Sequence, residues 1–84
     1  MESTLDFGDK IDKFENLMIE QLEKHQPIYG DSWKEMSLGK LYDRLVHKMQ
    51  EFDLTYNKDK LVSIANLAML LYIRKSEEDG VKNV

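Results

Sequence analysis

Arg44, Lys48 and Glu51 recur at steps of four and three, and Asp59, Ser63 and Asn66 repeat those steps a few residues later. On α-helices each set falls along one edge, because side chains three and four apart share a face. Antiparallel packing of two such helices would set two cations and a carboxylate against a row of oxygen and amide groups, a seam suited to ion pairs and hydrogen bonds. Other chemistries find no material in the chain. There is no Cys, and no Ser lies in a Gly-rich elbow with a His and an acid in a recognisable signature, so nucleophilic catalysis is set aside. A Gly-rich phosphate loop is likewise absent. His25 and His47 belong to different elements without partners at ligand spacing, which argues against zinc. His47 falls on the polar side of its helix and reads as a solvated residue.

The elements that position these residues follow from apolar spacing. Asp59 to Arg74, DKLVSIANLAMLLYIR, is the most apolar stretch and contains no Gly or Pro, so it predicts a helix, apolar on nearly every side and therefore central. Asp59, Ser63, Asn66 and Leu70 form one line along it, and Asp59 reads as its cap. Upstream, Phe7, Ile11, Phe14, Met18 and Leu22 make one helical stripe, widened by Leu17, from a cap at Asp6 to an end near His25, where Pro27 displaces Gln26 from the helical region. Residues 1–5 are expected to fray. The linker from Pro27 to Met36 has the composition of a turn at Tyr29-Gly30-Asp31-Ser32 and holds Trp33, read as a plug over the helix ends. Ser37 then caps a second amphipathic helix carrying Leu38, Leu41, Leu45, Met49 and Phe52, with a loop expected over 53–58. After Arg74 the sequence turns polar. The expected organisation is one helical domain over residues 1–75 and a polar, flexible tail over 76–84.

At 84 residues a chain buries only about 60% of its unfolded surface, so a partner is expected. A net charge of −4 and the lack of a basic stripe argue against DNA or RNA. The longest apolar run falls short of the roughly twenty residues that span a bilayer, so no membrane association is expected. With no disulfides and no secretory or transit signature, the expected location is the cytoplasm.

From Phe14 to Arg74 the chain resembles the MazG-like family of all-α nucleoside triphosphate pyrophosphohydrolases. The stretches that carry the resemblance are KHQPIYGDSWKEMSLGKLYDRLVHKMQEF and DKLVSIANLAMLLYIR: a helix, a Gly and Trp linker, a second helix and an apolar third helix with Asn. In that family an EExxE motif on the second helix and an ExxD motif on the third, followed by Asn, hold Mg²⁺ on the triphosphate. Here EExxE falls on His47, Lys48, Met49, Gln50 and Glu51, and ExxD on Lys60, Leu61, Val62 and Ser63. Only Glu51 keeps its carboxylate, and Asn66 matches the Asn. Mg²⁺ needs several oxygen ligands, and Lys48 competes for Glu51, so an ion pair is expected in place of a metal site.

The resemblance therefore implies an all-α bundle of three main helices, completed by oligomerisation as a dimer or tetramer, that has lost hydrolysis and serves as a binding or assembly module without a cofactor. Arg44, Lys48, Lys60 and Asn66 are the candidate nucleotide contacts, with the cations meeting phosphates directly. Two alternatives accompany it. One is an active pyrophosphohydrolase with a non-standard Mg²⁺ site built from Glu51, Asp59 and Asn66; the other is a structural module for protein contacts.

Overall fold

The computed structural model describes residues 4–30 and 32–83, with the side chains of residues 7–26, 30 and 32–79. Three helices, α1 (Thr4–Tyr29), α2 (Leu38–Thr55) and α3 (Lys58–Asn83), and one 3₁₀ turn at Ser32–Lys34 form an all-α bundle. α3 touches both other helices, α2 more extensively than α1. None of the described helices is long and apolar enough to cross a membrane.

Helix boundaries depart from the spacing argument where local hydrogen bonding overrides it. α1 begins at Thr4, which places Asp6 inside the first turn instead of at the cap; residues 1–3 lie outside the described chain. At its other end α1 does not stop near His25 but runs through Pro27 to Tyr29. Proline removes one donor, the bond to the carbonyl four residues back, and a helix near its end tolerates that loss. The terminator is Gly30, at φ +56°, whose N–H donates to the Gln26 carbonyl at 2.8 Å. Asp31, part of the expected turn, lies outside the described residues.

α2 starts as expected. Ser37 is extended, its Oγ accepts the Lys40 N–H at 3.1 Å, and its carbonyl accepts the Leu41 N–H at 3.1 Å. It ends later than expected, so the loop over 53–58 shrinks to Tyr56 and Asn57. Tyr56 takes the left-handed conformation, φ 52°, and its N–H closes on the Phe52 carbonyl, with the Phe52 and Tyr56 rings 5.0 Å apart. Thr55 Oγ1 donates to the Glu51 carbonyl and accepts the Asn57 N–H. Asn57, not Asp59, then caps α3: its Oδ1 accepts the Asp59 N–H at 3.0 Å. Asp59 occupies the first turn, where a carboxylate suits the positive end of the helix.

The segment expected as a tail continues α3 through Asn83. Lys75 reaches Asp79 and Glu78, at 3.4 and 3.7 Å, across one turn, the spacing at which opposite charges support a helix. Arg74 anchors the linker, its guanidinium donating to the carbonyls of Trp33, at 2.9 Å, and Met36.

The core is small. Among the described residues Leu41 and Val62 are the buried apolar side chains and Asn66 the buried polar one. α3 is central, yet its apolar run is covered on two sides only: Leu67 and Leu71 are half-buried, and Leu61 and Tyr72 are exposed. The α1 stripe divides as well, with Met18 and Leu22 tucked in and Phe7, Ile11 and Phe14 outside. The radius of gyration is 14.8 Å, against about 12 Å for a compact domain of this length.

Leu41→Ala should cost about 2–5 kcal/mol in denaturant unfolding, the range for a buried Leu. Asn57→Ala should cost about 1 kcal/mol as a lost N-cap. Leu54→Ala, at a side chain 84% exposed, should change stability by less than about 0.5 kcal/mol. A loss at Leu41 no larger than at Leu54 would place the core elsewhere.

Candidate functional site

A cleft of about 520 Å³ opens between the three helices. α3 contributes Ser63, Asn66, Leu67 and Leu70; the second half of α1 contributes Gln21, Leu22, His25 and Gln26; α2 contributes Leu41, Asp43, Arg44, His47 and Lys48. Gly30, Ser32 and Trp33 add the linker to its lining. Trp33 is half-buried, so the residue read as a plug is also a cleft wall, held from behind through its carbonyl by Arg74.

The polar line on α3 is spent largely on α1. Gln21 Nε2 donates to Ser63 Oγ at 2.8 Å, and Asn66 Nδ2 donates to Gln21 Oε1 at 2.9 Å and to the Met18 carbonyl at 3.2 Å. Asn66 is 3% exposed, and its Oδ1 is buried with no hydrogen-bond partner among the described residues. An unsatisfied buried acceptor is costly.

The charged edge of α2 closes on itself. Glu51 Oε1 lies 2.9 Å from Lys60 Nζ and 3.2 Å from Lys48 Nζ, while Oε2 lies 3.0 Å from His47 Nε2. The ion pair expected between Lys48 and Glu51 is therefore present, and Lys60 extends it across the α2–α3 junction. His47, read as solvated, remains largely exposed but reaches Glu51 one turn along. The Lys60 hydrogen bond, then that of Lys48, holds the Glu51 carboxyl below its ordinary 4.5.

Of the candidate nucleotide contacts, Arg44, Lys48 and Asn66 line the cleft together; Lys60 is turned to Glu51 and does not. Glu51, Asp59 and Asn66 make a poor Mg²⁺ cage. Asp59 is exposed, and the seven residues to Asn66 span about 10 Å of helix, beyond one ion's ligand sphere. The Asn66 amide faces α1, and two ammonium groups already occupy one Glu51 oxygen. Among the described residues no three His, Asp, Glu or Cys side chains are placed to hold a metal ion.

Gln21 and Arg74 have no role that residue spacing alone assigns. Gln21 is a polar residue on an apolar stripe, one step of three beyond Met18, and Arg74 is a cation terminating an apolar run; each is a signal of a buried hydrogen-bonding demand. Comparison with protein family models, curated proteins and solved structures returns no match for this chain. The family resemblance accordingly rests on the residue pattern alone.

Two measurements check the site. Because the folded-state pKa of Glu51 is depressed, its pairs contribute stability above its ordinary 4.5, and that stability disappears as pH falls through the folded value. Glu51→Gln should melt below wild type at neutral pH, and the two melting curves should converge as the medium turns more acid than 4.5; a gap unchanged by pH would deny the pairing. Asn66→Ala should cost about 1–3 kcal/mol by removing its hydrogen bonds to the Gln21 side-chain oxygen and the Met18 carbonyl, read in urea unfolding.

Proposed function

We propose that this chain is a divergent MazG-like binding module that has lost nucleoside triphosphate hydrolysis and holds a nucleotide, or a similar phosphate-bearing anion, without metal. The observation that carries this reading is the state of Glu51. The one carboxylate kept at the motif positions has both oxygens engaged by Lys60, Lys48 and His47, so a cation arriving there must displace two ammonium groups. Electrostatic stabilisation by the metal carries much of phosphoryl-transfer catalysis, and each 1.36 kcal/mol lost from it is about tenfold in rate.

Binding has better support than turnover. Arg44 and Lys48 stand one turn apart on α2 and both face the cleft, a spacing at which two cations can share one phosphate chain. Glu51 keeps Lys60 and His47 if Lys48 turns to a ligand. Trp33 offers an aromatic wall, and Asn66 lines the same cleft. The protein works in the cytoplasm as a homo-oligomer, the assembly supplying the cover that α3 lacks.

Calorimetric titration with a non-hydrolysable nucleoside triphosphate, with and without Mg²⁺, tests this. Binding should be independent of Mg²⁺, weaken at least tenfold in Lys48→Glu, and fall steeply with added salt as phosphate contacts do. Phosphate release from natural triphosphates should equal the buffer control in Mg²⁺ or Mn²⁺. Mg²⁺-dependent turnover abolished by Glu51→Gln would overturn the reading in favour of an active enzyme, and no binding with no turnover would leave a purely structural module.

A further inference from the structure

The charge of the cleft depends on one side chain. Among the described residues that line it, Arg44 and Lys48 are the cations and Asp43 the carboxylate, with both His counted neutral. The formal charges of Arg44 and Asp43 cancel, so the cleft attracts an anion only to the extent that the Lys48 charge is not answered elsewhere. Glu51, which is outside the lining, answers it: its Oε1 lies 3.2 Å from Lys48 Nζ. The same oxygen has a second claimant. Lys60 Nζ reaches it from α3 at 2.9 Å, nearer than Lys48, while His47 Nε2 engages Oε2 at 3.0 Å. One carboxylate charge is thereby divided between two ammonium groups, and whatever part of it Lys60 takes leaves Lys48 freer for the cleft.

We propose that Glu51 and Lys60 set the affinity of the cleft for phosphate without touching the ligand: Glu51 competes with the bound phosphate for Lys48, and Lys60 relieves that competition by occupying Glu51 from α3. Both are positioning residues that act through Lys48. This inference rests on the phosphate-binding reading above and adds to it the pair that tunes the site. The side chains of Lys48, Glu51 and Lys60 are 35, 28 and 32% exposed. Solvent therefore screens the pairs, and each changes binding a few-fold, not by orders of magnitude.

Calorimetric titration of the full chain with inorganic tripolyphosphate in metal-free buffer gives the test. Glu51→Gln should tighten binding about two- to fivefold, and Lys60→Met should weaken it by about the same factor. Lys60→Arg keeps a cation beside Glu51 and should bind as wild type does. In the Glu51→Gln background Lys60→Met should lose its effect, because its route to Lys48 is gone. An equal loss in both backgrounds means that Lys60 acts on the ligand directly, and overturns the relay. Wild-type binding that neither Glu51→Gln nor Lys60→Met alters overturns this inference alone, whereas a wild type that does not bind tripolyphosphate overturns the phosphate-binding reading with it. Should Glu51→Gln lose helix content in circular dichroism, Lys60→Met against Lys60→Arg decides, and equal affinities of those two overturn the role of Lys60.

Discussion

One buried amide holds α1 in place. Asn66 gives both of its N–H donors to α1, one to the Gln21 side chain and one to the Met18 carbonyl, and Gln21 in turn reaches Ser63. The apolar contribution around this tie is modest, since among the described residues Val62 is the buried apolar side chain on α3 and Leu41 on α2. Hydrophobic contact is non-directional, whereas a hydrogen bond weakens steeply as its angle closes. The amide cluster therefore sets where α1 meets α3, and the width of the cleft between α1 and α2 follows from that position. The same cluster leaves one buried acceptor, Asn66 Oδ1, without a partner among the described residues.

Charge is distributed on a different logic. Lys48 belongs to two settings at once, the Glu51 pairs on one side and the cleft on the other. Surface ion pairs are worth little individually, and Glu51 has two further partners, so releasing Lys48 toward an anion costs little. Arg44, one turn back and exposed at the rim, adds a planar fork suited to phosphate oxygens. A metal centre needs the reverse arrangement, carboxylates held apart from ammonium groups and aimed at a single point.

Much of the architecture was legible in residue spacing. The three helices, the Ser37 cap, the central place of α3 and the Lys48–Glu51 pair all follow from local rules that act within one or two turns. Boundaries were less legible, because each depended on a competition between neighbouring signals. Gly30 outweighed Pro27 as a terminator, Asn57 outweighed Asp59 as a cap, and Thr55 and Tyr56 prolonged a helix whose apolar period had already lapsed. The site was only partly legible. Arg44, Lys48 and Asn66 share a cleft as their edges suggested, but Ser63 and Asn66 turn to Gln21 on α1 and not to the charged edge of α2. Periodicity states which residues share a face; which neighbouring helix that face meets depends on tertiary packing.

The connection between α2 and α3 consists of Tyr56 and Asn57, and the two helices find each other through a short, cheaply closed loop. The hydrogen bonds from α3 to α1, by contrast, join residues 42 to 48 positions apart. Loop closure over that distance must be met before the amide cluster repays it. Contact separation of this kind favours the α2–α3 hairpin as the earlier-forming unit and α1 as the last to dock, an order that would make opening of the cleft a partial unfolding event and not a rigid hinge.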